Sequence, residues 1–288
     1  MTDNIRSQTL PGVGKNSNDS DTVKPEQYRT IWISDIHLGT PGCKTEFLLD
    51  FLKNNESEYL YLVGDIIDGW RLKKSWYWVQ SHNDVIQKIL RKARKGTIVT
   101  YIAGNHDELL RNFLNISLGN ITILDEVIHT TADGKKLWVT HGDQYDGILK
   151  NARWIAIFGD VLYNFLIKVN GYFNRIRRLL GFSYWSLSQY LKHKVKNAVN
   201  FITEFETVLL NETKNRGLDG IVCGHIHKAE IKEIDGLLYC NDGDWVESLT
   251  ALVEDFDGNL KLVHWPYDGS AESPNADIKI TPDVESLA

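Results

Sequence analysis

Five short clusters of residues able to ligate metal ions occur in a fixed order along the chain. They are Asp35-Ile36-His37, Gly64-Asp65-Ile66-Ile67-Asp68, Gly104-Asn105-His106-Asp107, His141-Gly142 and Gly224-His225-Ile226-His227. Carboxylates, an amide and imidazoles recur, and no thiolate is among them. Mixed oxygen and nitrogen ligands suit Mn2+, Fe or Zn2+ better than Ca2+. Residues i and i+2 of an extended segment face one side, so Asp35 and His37 can turn toward one ion. Asp65 has two carboxylate oxygens to share and is the natural bridge between two ions. Asn105 offers a neutral amide oxygen; His141, His225 and His227 offer imidazole nitrogens. Such a set is large enough for two divalent cations. Cations ~3.5–4 Å apart acidify a shared water and neutralise phosphoryl charge, so the chemistry indicated is hydrolysis of a phosphoester.

The elements that must position these groups are legible as well. Each cluster follows an apolar run of strand type: Thr30–Ser34, Tyr59–Val63, Ile98–Ala103, Lys136–Thr140 and Asp219–Cys223. Thr45–Asn54 carries Phe47, Leu48, Phe51 and Leu52 on one helical face. Ser75–Lys95 predicts a longer helix, capped by Ser75 and stopped at Gly96. Strand–helix alternation predicts an α/β fold, in which ligands gather at the carboxyl ends of strands. After His225, the runs Ile231–Ile234, Leu237–Cys240, Thr250–Val253 and Leu260–Trp265 predict short strands. Asp235-Gly236 and Asp257-Gly258 are hairpin signals, and together they predict a meander completing a second sheet.

One interval is out of proportion. Positions 35, 65, 105 and 141 are 30, 40 and 36 apart, whereas 141 and 225 are 84 apart. Within 145–200 lie nine basic residues and two acidic ones, a local charge of +7 in a chain of net −6. The same stretch is rich in aromatic residues, among them Trp154, Phe165, Tyr172 and Trp185. It predicts an inserted helical cap. Its last helix, about Gln189–Asn215, has Val195, Ala198, Val199, Ile202, Phe205, Val208 and Leu209 at helical spacing and stops at Gly217.

The 288 residues, 42% of them hydrophobic, are enough for a sizeable core. The acidic balance argues against a general nucleic-acid binder. Cys43, Cys223 and Cys240 form no CxxC pair and read as thiols in a reducing compartment. Residues 1–27 are polar, lack an apolar signal core and predict a disordered tail. The expected organisation is a core of 28–144 and 217–268, a cap of 145–216 and a flexible tail of 269–288. No apolar run reaches the ~20 residues that span a bilayer. A cytoplasmic location is expected, with the cap as a peripheral contact on the inner face of the cytoplasmic membrane.

The order D-x-H, G-D-x-x-D, G-N-H-D, H-G, G-H-x-H resembles the signature of the calcineurin-like metallophosphoesterases. That resemblance covers Asp35 to His227. It implies a four-layer α/β/β/α sandwich of two mixed β-sheets flanked by helices. It implies one metal ion, Mn2+ foremost, on Asp35, His37, Asp65 and His227, and a second on Asp65, Asn105, His141 and His225. It implies that His106 binds phosphate or protonates the leaving oxygen and that Asp68 orients it. A finer resemblance is to the UDP-2,3-diacylglucosamine pyrophosphatases. It is carried by Ile33–Gly39, Asp68-Gly69-Trp70, the insert and Asn241-Asp242-Gly243-Asp244-Trp245. It implies cleavage of a nucleotide–sugar–lipid pyrophosphate with release of UMP, under a cap that holds the acyl chains. Members of that branch carry Arg where His106 stands, and His106 restores the general motif. Arg71, Arg175, Arg178 and His193 are candidate substrate contacts, with solvated surface charge as the alternative. A soluble nucleotide or phosphodiester is the alternative substrate, and a binding module that keeps the fold is the alternative class.

Overall fold

The computed structural model describes residues 24–146 and 187–265, with the backbone alone over 187–200. A seven-stranded sheet runs β12-β11-β1-β2-β3-β5-β4. Its centre is β1 (Glu26–Ile33), β2 (Asn55–Val63), β3 (Ile98–Ile102) and β5 (Ile121–Leu124), which pair in parallel. β4 (Ser117–Leu118), β11 (Thr250–Glu254) and β12 (Leu260–His264) add antiparallel edges. A five-stranded sheet runs β6-β7-β8-β10-β9. It comprises β6 (Glu126–Thr130), β7 (Lys136–Thr140), β8 (Gly220–Cys223), β9 (Glu230–Ile234) and β10 (Leu237–Asn241). Four helices are described: α1 (Thr45–Asn54), α2 (Gly69–Lys74), α3 (Gln80–Arg94) and α4 (Leu187–Asn215).

The period-2 alternation of the strands explains the layering. Trp32, Tyr61, Val63 and Ile102 point from the first sheet toward Leu137, Val139, Val222 and Cys240 of the second. Their neighbours Ile31, Ile33, Leu60 and Leu62 point the other way, onto Leu48, Phe51, Val85 and Ile89 of α1 and α3. On the far side, Trp138, Ile221 and Tyr239 pack under Phe201, Phe205 and Leu209 of α4. The result is an α/β/β/α sandwich of two mixed sheets. Each large apolar side chain so buried stabilises by ~1.5–3 kcal/mol.

A polar clasp also joins the sheets. Glu254 of β11 accepts hydrogen bonds from Thr30 Oγ1 (2.6 Å), Arg29 Nη1 (2.9 Å) and Ala132 N (2.7 Å). His129 of β6 lies 2.9 Å from the same carboxylate through Nε2 and 3.0 Å from Tyr61 Oη through Nδ1.

Three sequence expectations are corrected. The helix expected over Ser75–Lys95 begins only at Gln80, as α3; Ser75 instead ends a separate short helix, α2, and Trp76–Val79 lie outside helix. Asp68 caps α2 by accepting from Arg71 N (2.7 Å), so the chain starts a helix earlier than the Ser75 signal suggests. The four strands after His225 do not form one meander. β9 and β10 join the second sheet, while β11 and β12 close the first. Finally, the second half of α4, read as cap, supplies the outer layer of the sandwich.

Candidate metal centre

Because β1, β2 and β3 are parallel neighbours, Asp35, Asp65 and Asn105 emerge together from one end of their sheet. Parallel β7 and β8 deliver His141 and His225 likewise. Asp35, His37, Asp65, His225 and His227 all adopt left-handed backbone, with φ between 50° and 71°. For residues other than glycine this costs ~1–2 kcal/mol each and persists only where neighbours enforce it. The neighbours are evident. Asp35 N donates to Gly64 O (3.1 Å), His37 N to Asp65 O (2.9 Å) and Asp68 N to Leu38 O (2.8 Å). The Asp107 carboxylate accepts from Ile66 N (2.9 Å), Gly104 N (2.5 Å) and Tyr101 Oη (2.6 Å), which ties the second and third loops together. Asp107 is therefore a loop staple. Gly64 has φ +82°, and a Cβ there would run into the His141 ring. A Cβ on Gly104 would sit 2.5 Å from Asp65 N.

The side chains of the five motifs converge. Three trios place one ligand atom each within 4.8 Å of the others: Asp35-His37-His227, His37-Asp68-His106 and Asp65-His141-His225. Asp65 Oδ2 is the hub, 4.0 Å from His37 Nε2, 3.9 Å from His106 Nε2 and 3.5 Å from His141 Nε2. Its other oxygen accepts from His106 N (2.8 Å). Asp35 Oδ2 accepts from His225 N (2.9 Å) and Ser34 Oγ (2.5 Å), which turns Oδ1 toward His227 Nε2 at 3.0 Å.

The donor set suits a divalent cation. His141 Nδ1 lies 2.8 Å from Val63 O, which fixes one proton there and turns the buried Nε2, without a hydrogen bond of its own, toward Asp65 Oδ2. The buried Asn105 amide makes no hydrogen bond through Oδ1 or Nδ2. Leaving such an amide unsatisfied costs ~1–3 kcal/mol, which a cation on Oδ1 would offset. Electrostatics agree. Burial opposes ionisation of Asp65, yet His141 holds its carboxyl down at about 2. Burial likewise lowers His227, but Asp35 outweighs it and raises the imidazole to about 9. A site that binds protons so firmly has the negative potential a cation needs, and protons compete with metal there.

His106 and Asp68 meet as expected, Nδ1 to Oδ1 at 3.1 Å. Asp68 Oδ2 is 3.4 Å from His37 Nδ1. Burial pushes the Asp68 carboxyl up, but hydrogen bonds from His106 and His37 hold it well below the ordinary range. Trp70 lies against His106, ring centroids 4.4 Å apart. Arg71 is exposed beside this pair, with no ion pair among the described residues. Arg175 and Arg178 fall outside the described residues, as does the His193 side chain.

Several groups that hold the site drew no role from the sequence. Ser34 Oγ lies between Asp35 and Asp242 Oδ1 (2.6 Å). Asn241 Nδ2 donates to Gly224 O (2.7 Å) and steadies the last ligand loop. Arg111 grips Asp143 at 2.8 and 3.0 Å, joining the third loop to the fourth. Asp146 faces His225 Nε2 at 2.8 Å. Ser34, Arg111, Asp143 and Asp146 each lie within a few positions of a motif, a weak signal by itself, and Asn241 and Asp242 lack even that.

A match to the calcineurin-like phosphoesterase family spans residues 28–229. The UDP-2,3-diacylglucosamine hydrolase of Psychromonas ingrahamii is 27% identical over 236 residues, covering 77% of this chain and 91% of that protein. That of Blochmanniella pennsylvanica is 28% identical over 215 residues, covering 71% and 81%. Among solved structures, an archaeal phosphodiesterase aligns over 82% of this chain and 98% of its own, at 14% identity and a TM-score of 0.40. With the motif order, the paired strand ends and the family match over 28–229 in agreement, the chain belongs to the calcineurin-like phosphoesterases, a family of metal-binding hydrolases.

Proposed function

We propose that this metallophosphoesterase cleaves the pyrophosphate of a UDP-sugar lipid of the UDP-2,3-diacylglucosamine kind and releases UMP. The observation that carries the reading is the hub at Asp65 Oδ2, within 4.0 Å of imidazoles from three separate loops. The two relatives' names supply the substrate class. Two cations, Mn2+ foremost, would sit on Asp35, His37, Asp65 and His227 and on Asp65, Asn105, His141 and His225. When bound, such cations supply charge neutralisation at phosphoryl oxygens and an acidified water.

The chain's own groups do the rest. Asp68 holds the proton of His106 on Nδ1, so Nε2 faces the centre beside Asp65. As the imidazolium, His106 donates from Nε2 to a phosphoryl oxygen or gives that proton to the leaving oxygen and returns to the neutral ring, a role worth ~10²–10⁴ in rate. Trp70 limits the tilt of the His106 ring. Arg71, Arg175, Arg178 and His193 are the proposed substrate contacts, and 145–200 is the proposed cover for the acyl chains. No described helix is long and apolar enough to cross a membrane, and in this reading the protein meets its lipid peripherally, at the inner face of the cytoplasmic membrane.

A soluble nucleotide or phosphodiester is the second reading, favoured by His106 itself, since the lipid branch carries Arg there. Metal-stripped protein is reloaded with Mn2+ and given UDP-2,3-diacylglucosamine in detergent, or bis-p-nitrophenyl phosphate and soluble nucleotides. UMP from the lipid at a kcat/KM well above the soluble compounds supports the first reading. The reverse order supports the second, and no turnover of any phosphoester removes both.

A further inference from the structure

α2 and its connection to α3 carry a second surface, which begins beside the catalytic groups at Trp70 and Arg71 and extends away from them. Residues 70–79 read Trp-Arg-Leu-Lys-Lys-Ser-Trp-Tyr-Trp-Val, with three cations and no acid in a chain of net −6. Trp76 is 75% exposed and Trp70 43% exposed, with Tyr77 and Val79 also at the surface. Arg71, Lys73 and Lys74 are exposed and make no ion pair among the described residues. An exposed aromatic cluster is a liability for a protein that stays in water, and its presence indicates an apolar partner.

The cluster is held rigid. Trp78 is turned inward onto the α1–α3 core, donates from Nε1 to Asn83 Oδ1 (2.9 Å) and packs edge-on to His82 (5.1 Å). Ser81 Oγ accepts from Thr45 Oγ1 of α1 (2.8 Å). With Trp78 anchored, Trp76 and Tyr77 are presented outward. The other end of the segment reaches the metal centre, since Asp68 caps α2 and Trp70 lies on His106. Glu108 lies at this end too and accepts from Trp70 Nε1 (3.4 Å).

We infer that residues 70–79 dock onto an anionic phospholipid surface, with Trp76 and Tyr77 at the headgroup level and Lys73 and Lys74 on the lipid phosphates. Trp and Tyr favour that depth because their rings have an apolar body and a polar edge. Lysines beside them add attraction to anionic lipid, about fivefold in binding per cation. Local charge opposite to that of the whole chain favours a negative surface over an apolar protein groove. The inference goes beyond the substrate reading and concerns residues outside 145–200.

The test is co-sedimentation of metal-loaded, full-length protein with vesicles of phosphatidylcholine, with and without phosphatidylglycerol. Wild type is expected to bind the anionic vesicles, more weakly at high salt. K73E/K74E should lose at least about tenfold in binding, and W76S/Y77S a comparable amount, both with unchanged turnover of bis-p-nitrophenyl phosphate. Quenching by brominated lipid supplies a second readout on folded protein, strong in wild type and reduced in W76F. Variants that bind like wild type, or quenching unchanged by W76F, overturn the inference whatever 145–200 contributes. So does wild type that ignores anionic vesicles, as a surface built for a protein partner would. Failure here leaves turnover of the lipid in detergent intact, so the two readings fall separately.

Discussion

At the scale of single residues, Asp65 and Asp68 separate two jobs. Among the described residues, Asp65 is the only carboxylate whose oxygen approaches imidazoles of three loops, so its loss should empty the centre. Asp65→Ala is expected to lose turnover and bound metal together, read by elemental analysis beside an activity assay. Full metal content in that variant would show the hub is elsewhere. Asp68→Asn keeps an oxygen to cap α2 but removes the charge facing His106. Its kcat is expected to fall about 10²-fold with metal content preserved, and the pH profile of kcat should shift. Parallel loss of metal would mean that Asp68 serves His37 as much as His106. The seven proposed ligands stood out because each chemistry-bearing residue sits just past an apolar run. Ser34 and Asp242 were not, because a serine ending a strand reads as core and its partner is over 200 positions away.

At the scale of elements, the ligand loops depend on backbones that approach closely. Gly104→Ala would force a methyl group toward Asp65 N, at 2.5 Å. That variant is expected to lose ~1–3 kcal/mol of stability and at least tenfold in metal affinity, read by thermal unfolding and metal titration. Unaltered affinity would mean that the loop moves without disturbing Asp65. Strands that lead into a motif were read correctly because runs such as Tyr59–Val63 and Lys136–Thr140 are apolar and end at their motif, whereas β4, β5 and β6, which end at none, drew no such reading. Sheet membership was not. The hairpin signals at Asp235-Gly236 and Asp257-Gly258 are local, whereas the choice of sheet is made by long-range pairing. Cys240 pairs with Val222, and Val253 pairs with Ile31. The break between α2 and α3 escaped for a related reason. Ser75 is a good cap by type, but Trp78 finds its burial only outside helical geometry, against α1 and α3.

At the scale of the whole molecule, the two sheets are fastened by an apolar interior and by the Glu254–His129 clasp. Burial would raise the Glu254 carboxyl, but hydrogen bonds from His129 and Thr30 outweigh it and hold it below its ordinary value. A carboxyl lowered by folding stabilises fully above its unfolded value, and the effect is lost as pH falls through the folded one. Glu254→Gln should therefore be less stable by ~3 kcal/mol near neutrality. The gap to wild type should narrow below about pH 4.5, measured by denaturant unfolding across pH. A gap independent of pH would assign the effect to packing instead of charge. The adjacency of β7 and β8 has a different consequence. Those strands pair directly, although the chain between their ligands is 84 positions long. Ring closure grows harder only as the logarithm of length, ~0.6 kcal/mol per doubling. Evolution can thus swap, trim or extend that excursion while the reaction chemistry is inherited untouched, so that kinship in catalysis and kinship in diet need not travel together.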